Sequence, residues 1–210
     1  MFSEEDLNKV REVVRAAERR TRGEIVPMIV PASARYREAS HAAGLVAALF
    51  VLTGLLTLHG RGDWLAVHHG WILLAVVLGY AVGAAAGRFP AVIRRLVPNA
   101  RLAFKVRRRA EAAFYEHGLH RTREGTGVLI VLSLLERHVQ ILADDAINAR
   151  VPPGTWDGIV TGIVRGIRDG RRAEALCDAI AACGDLLAEH FPARRGDNPN
   201  ELPDDVVRER

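Results

Sequence analysis

Two stretches of this 210-residue sequence contain no Asp, Glu, Lys or Arg: Ala39–Gly60 and Trp64–Gly87. Elsewhere charge is plentiful, with 29 basic and 25 acidic residues in all, so the mean hydropathy blends two unlike kinds of segment. A buried helix in a soluble protein of this size ordinarily carries charge on an exposed face. These two carry none. At 1.5 Å per residue, more than 20 residues of helix exceed the roughly 30 Å of a hydrocarbon core. The sequence therefore predicts two membrane spans joined by the short linker "HGRGD", a helical hairpin.

Cysteine is scarce as well. Cys177 and Cys183 are the only two, and no C-x-x-C motif is present, which excludes a disulfide framework and a structural zinc site. Both fall in one predicted helix, where six residues separate the α-carbons by about 9 Å. That exceeds the roughly 7 Å a disulfide can bridge. The start "MFSEEDLNKV" is acidic and polar where a signal peptide would be basic and apolar. Phosphate-binding glycine loops, H-E-x-x-H and a G-x-S-x-G elbow around Ser133 are missing too, so no complete catalytic set is visible.

Basic residues gather on one side of the hairpin. Arg35 and Arg37 precede the first span, and Arg88, Arg94, Arg95, Arg101, Lys105, Arg107, Arg108 and Arg109 follow the second, against one arginine in the linker. This asymmetry puts both termini in the cytoplasm, in a multi-pass protein of the inner membrane. The cluster Arg94 to Arg109 is then a topology determinant and a contact for anionic lipid head groups. No nucleic-acid motif accompanies it, so nucleic acid is not an expected partner. Trp64, Trp71 and the histidines His59, His68 and His69 sit where an interfacial belt would place them.

The remaining segments alternate helix and strand. Ser3 is placed to cap a first helix, with Asp6 at the capping-box position and Phe2 stapling against Leu7. "GEIVPMIV" reads as a strand in which Pro27 favours an edge or a bulge. After the hairpin a helix runs from about Pro98 to Gly118, and "GVLIVLS" and "RHVQILAD" form an antiparallel pair. A helix capped by Thr155 ends at Gly170, and a last one spans about Arg172 to His190. The tail "ARRGDNPNELPDDVVRER" is polar enough to be irregular or disordered. The expected fold is α/β: an α/β/α sandwich with a small mixed sheet, interrupted by a transmembrane helical hairpin. Residues 1–38 form the first part of the cytoplasmic domain, 39–90 the hairpin, 91–192 the second part, and 193–210 the polar tail. Such a hairpin lengthens a surface connection without disturbing the core.

The segments "SEEDLNKVREVVRAAERRTRGEIV", "HRTREGTGVLIVLSLLERHVQILADDAI" and "VPPGTWDGIVTGI" resemble the TPM domain family, sometimes labelled TPM phosphatase. The similarity is greatest to its bacterial membrane branch, in which a two-span hairpin interrupts the domain. The resemblance implies an α/β sandwich with a small central sheet. It also brings an acid-phosphatase label from plant relatives linked to photosystem maintenance.

The predicted topology collects Glu24, Thr126, Gly127, Asp144 and Asp145 at one end of the sheet. Glu24, Asp144 and Asp145 could bind Ca²⁺ or Mg²⁺, and the cation could orient a phosphate ester. The same residues admit structural roles: Asp144 or Asp145 capping the next helix, and Glu24 paired with Arg20, Arg22 or Arg123. Two functions follow. One is a membrane-anchored module that binds an unidentified protein or a membrane component, in envelope or membrane-protein maintenance. The other is a divalent-metal-assisted phosphatase.

Overall fold

The computed structural model describes residues 2–60, 69–194 and 201–208. Contacts divide the chain into two compact units, Met1–Ser33 with Phe104–Arg210, and Ala34–Ala103. The first unit opens with α1 (Glu4–Glu18), whose start is a capping box: the Asp6 amide donates to Ser3 Oγ at 3.0 Å and the Ser3 amide to the Asp6 carboxylate at 2.8 Å. Two otherwise unsatisfied donors are thereby met. Leu7, Val10, Val14 and Ala17 form the buried stripe.

A four-stranded mixed sheet lies at the centre, in the order β3-β2-β1-β4. β1 (Glu24–Val30) runs parallel to β2 (Gly127–Ser133) over its full length, from Glu24 opposite Gly127 to Val30 opposite Ser133. β3 (His138–Ala143) is antiparallel to β2, and β4 (Val207–Arg208) runs parallel to β1 beside Met28 and Ile29. Alternation sorts the side chains to two faces. Ile25, Ile29, Val128, Ile130, Leu132 and Ile141 join one core with α1, α7 (Thr155–Arg168) and α8 (Arg172–His190). Val26, Met28, Val30, Leu129 and Val131 join the other with Ala110, Ala113 and Phe114 of α5 (Asn99–Glu116) and Leu119 of a 3₁₀ turn. Both faces are covered, which is why β1 and β2 are buried at every residue and read as nearly continuous apolar runs. α1 approaches α8 closely: a β-carbon on Gly184 would lie 2.6 Å from Ala17 Cβ.

Four local expectations need correction. Pro27 marks neither an edge strand nor a bulge, for β1 pairs on both sides. The Glu24 amide donates to Thr126 O, towards β2, whereas the Ile25 amide donates to Glu18 Oε1, away from it. Pro27 shares the parity of Ile25, so its missing N–H takes no bond from the β1–β2 ladder. Thr155 is the first residue of α7 and Gly154, at φ +85°, its cap. The Thr155 hydroxyl instead donates to Pro152 O at 2.8 Å. The tail is irregular over 201–206, as expected, but supplies β4 at Val207–Arg208, and its acids and arginine meet partners on α1: Arg15 with Asp204 at 2.8 Å, Arg11 with Asp205 at 2.7 Å and Arg208 with Glu4 at 3.1 Å. A short helix, α4 (Pro90–Leu96), lies where only a connection was expected.

The second unit holds α2 (Arg37–Gly60), α3 (His69–Ala86) and α4. α2 and α3 pack antiparallel through small residues one turn apart. A β-carbon on Gly79 would lie 2.9 Å from Val51 Cγ2, on Gly83 2.5 Å from Ala43 O, and on Gly87 2.6 Å from Ser40 Cα. Such seams let helix backbones approach closely. The Ser40 hydroxyl donates to Ala84 O, and Tyr80 Oη meets His41 Nδ1 at 2.7 Å. Of the two expected spans, one helix, α2 over Arg37–Leu58, is long and apolar enough to cross a membrane by itself. Among the described residues, Gly70–Ala86 of α3 passes the same test together with α4, to which it is joined at a 98° bend. Residues 61–68, with most of the linker, Trp64 and His68, lie outside the described residues, as do the side chains of His59 and His69.

Candidate functional site

The carboxylates at the start of β1 form the most unusual electrostatic environment in the first unit. Thr21 sets the strand's entry, donating from Oγ1 to Phe191 O at 2.8 Å and accepting the Gly23 amide at 3.0 Å. Glu24 follows, 5% exposed, on the face that also carries Val26 and Met28. Its Oε1 accepts the Glu201 amide at 3.1 Å, and the Leu202 amide also bonds to the carboxylate. Oε2 has no hydrogen-bond partner among the described residues. Burial pushes the Glu24 pKa up, opposed by the two amides. Arg20, Arg22 and Arg123, the partners weighed for it, are engaged instead with Asp185, Glu124 and Glu201.

Glu18, Glu201 and Asp204 stand beside Glu24 along the outer edge of β1. The Glu18 pKa is pushed up to about 8, first by burial and then by the charges of Glu24 and Asp204 and a hydrogen bond with Asp204, while the Ile25 amide pulls it down. Sequence reasoning missed these three residues. Glu18 was given no role within the first helix, and Glu201 and Asp204 lay in a tail read as irregular or disordered. The available signal was complementarity: basic Arg11 and Arg15 on α1 against "PDD" in the tail.

Glu24 and Asp144 do lie at the same end of the sheet. They flank Gly127, which pairs with Glu24 and accepts the Asp144 amide on its carbonyl at 3.0 Å. The space over Gly127 is taken by Leu119, whose carbonyl oxygen would lie 2.8 Å from a β-carbon there. Asp144 caps α6 (Asp145–Asn148), accepting the Asp145 amide at 2.8 Å, and Asp145 is exposed in its first turn. A calcium ion takes 6–8 oxygen ligands at about 2.3–2.6 Å. Among the described residues, no three His, Cys, Asp or Glu side chains converge to hold a metal ion. Asp144 is thus engaged as the cap of α6 and Asp145 faces solvent, while Glu24 is buried against the amides of Glu201 and Leu202.

At the opposite end of β2, the Ser133 hydroxyl is buried and donates to Glu136 Oε2, while Ser33 binds both: its amide to Glu136 Oε1 at 2.9 Å, its hydroxyl to Ser133 Oγ at 3.0 Å. This set pins the β2–β3 turn and engages the Ser133 hydroxyl with Ser33 and Glu136. In the basic cluster, Arg107 pairs with Glu111 and Arg109 with Glu116 within α5, and Arg108 lies 5.9 Å over the Phe104 ring.

A small mixed sheet covered by helices on both faces places the first unit among the α/β sandwiches. Residues 95–186 match the family model described as the TPM domain. The fold of the chain is similar to the NMR structure of BA42 protein from the psychrophilic bacterium Bizionia argentinensis sp. nov., with a TM-score of 0.62 and 19% sequence identity. That similarity covers 100% of this chain and 96% of BA42 and is one of fold. No curated protein matches the chain.

Proposed function

We propose that this protein is a membrane-anchored TPM-domain binding module of the cytoplasmic membrane, with the domain and both termini in the cytoplasm. One observation carries the reading. The Arg37–Leu58 stretch of α2 is 22 residues long and only 6% buried, with Leu45 and Leu49 each 64% exposed and Phe50 80% exposed. The core helix of a soluble protein passes the same test of length and apolarity but buries its apolar side chains. Here they face outward, and in water that surface would far exceed the few hundred Å² of a typical monomer's largest apolar patch. In hydrocarbon it meets its own kind.

The antiparallel packing of α2 and α3 brings Ser40 against Gly87, so Arg37 and Arg88 mark the same end of the pair. Arginines at one end support a cytoplasmic location for that end, with anionic lipid head groups beside the cluster Arg94 to Arg109. Since the described carboxylates do not converge on a cation, the reading is of a module that binds a membrane component or an unidentified protein in envelope or membrane-protein maintenance.

The test is extraction of the full chain from native membranes. The protein should resist alkaline carbonate and high salt and leave the pellet only with detergent, while Phe50→Lys should lower membrane retention, since Lys at a span centre costs about 2.5–3.5 kcal/mol. Release of the wild type by carbonate alone would overturn the proposal.

A further inference from the structure

The carboxyl end of β2 opens onto a cavity of about 670 Å³, within the range of small-molecule sites. It lies at the end of the sheet opposite Glu24, where the strands of a parallel pair commonly present ligands. Leu132, Val164 and Ile167 supply its apolar wall. Arg137, Arg168 and Arg172 supply its charge, and no acidic residue among the described residues lines it. We propose that this cavity binds a small organic anion, its oxyanion head on the three guanidiniums and its apolar body against Leu132, Val164 and Ile167.

Two independent features support a ligand here. The first is the pairing pattern. Arg11, Arg15, Arg20, Arg22, Arg171 and Arg208 each meet a carboxylate. Arg137, Arg168 and Arg172, like Arg19, Arg121 and Arg165, form no such pair among the described residues, but these three stand around one opening. Guanidinium forks match the oxygens of carboxylates and phosphates. The second feature is the backbone at Arg137. Among the described residues it is the one non-glycine residue at positive φ, +56°. Glycine adopts that conformation freely and arginine does not, so the turn holds an arginine where its own geometry favours glycine. The Ser33–Ser133–Glu136 set fixes that turn, and with it the place of Arg137.

The experiment is titration calorimetry of the full chain in nanodiscs with phenyl phosphate, phenylacetate and benzyl alcohol. These soluble probes share an aromatic body and differ in the head. Wild type should bind at least one of the two anions saturably at one site, the tighter arm naming the head group, and benzyl alcohol at least tenfold more weakly. Arg168→Ala and Arg137→Gly should each weaken the anion about tenfold. Arg137→Gly also guards against misfolding, because it relieves the backbone and should leave the melting temperature unchanged or raised. The proposal is overturned if neither anion binds, if benzyl alcohol binds equally well, or if both arginine variants bind as wild type does.

Discussion

Glu18 Oε1 accepts the amide of Ile25 at 3.0 Å, on the edge of β1 that faces away from β2. The end of α1 thus supplies a ladder partner at a point that β4, paired only with Met28 and Ile29, does not reach. The same carboxyl shares a hydrogen bond with Asp204 and lies within the field of Glu24. Two facing carboxyl groups can bond only when one holds a proton. Glu18 is the group whose environment keeps it.

A pH dependence follows. With its pKa raised from 4.5 to about 8, Glu18 binds a proton in the folded state that the unfolded chain has released. Between those values the folded state binds more protons, so this group's contribution is fully present below pH 4.5 and is lost as pH rises towards 8. The melting temperature should fall by several degrees from pH 5.5 to 8.5. Glu18→Gln keeps an acceptor for Ile25 and a donor for Asp204 at every pH, and should flatten that slope. A Glu18→Gln profile parallel to the wild type would place the proton elsewhere.

The tail's role is separable from the rest of the edge. Removing residues 201–210 takes away β4 and the two amides bound to Glu24. By the strand's alternation the Ile29 amide faces β4 and the Met28 amide faces β2. Hydrogen exchange should quicken strongly at Ile29 and little at Met28. Equal loss at both would mean that the tail holds the whole sheet. The exposed ion pair of Arg208 with Glu4 contributes no more than about 1 kcal/mol.

The two cysteines should part company chemically. Cys183 is fully buried and its thiol is pushed up to about 12 by burial, whereas Cys177 is half-buried and raised first by burial and then by Asp178. The thiolate is the reactive form. At pH 8 iodoacetamide should modify Cys177 faster by on the order of a hundredfold, and Cys183 only on unfolding. Comparable rates in the folded protein would contradict the packing of α8 on α1.

Local periodicity carried most of the element assignments. The Ser3–Asp6 box, the alternating β3 and the apolar face of α7 are each written within a few residues, so α1, the β2–β3 pair and α7 were legible before any fold was known. What spans the chain was not. Asp204 finds Arg15 across nearly its whole length, and no window of sequence contains both. Glu24 and Asp144 were correctly placed at one end of the sheet. The intrusion of Leu119 between them depends on how a 3₁₀ turn packs over Gly127, which alternation does not encode. The Pro27 expectation erred because it asked whether a proline could sit in the strand, not towards which neighbour its nitrogen faced.

The apolar helices offer a test in which two glycines give opposite answers. Gly83 faces α2, where an added β-carbon would lie 2.5 Å from the Ala43 carbonyl oxygen and 2.6 Å from Ala47 Cβ. Gly54 lies on the same apolar pair with nothing within 4 Å. Leu at position 83 must part the backbones, costing about 2 kcal/mol or more by overpacking, and it removes the approach on which small-residue packing depends. Leu at position 54 adds apolar surface to a face already exposed. In nanodiscs Gly83→Leu should weaken α2–α3 association, read as loss of a disulfide between cysteines introduced at Ser40 and Ala84, whose backbone carbonyl the Ser40 hydroxyl meets, in a chain lacking Cys177 and Cys183. Gly54→Leu should leave that disulfide forming as before. If both variants cross-link like the parent, the seam is looser than its geometry indicates. If both fail, bulk anywhere on the pair disturbs it, and the close approach at Gly83 is not what holds α2 to α3.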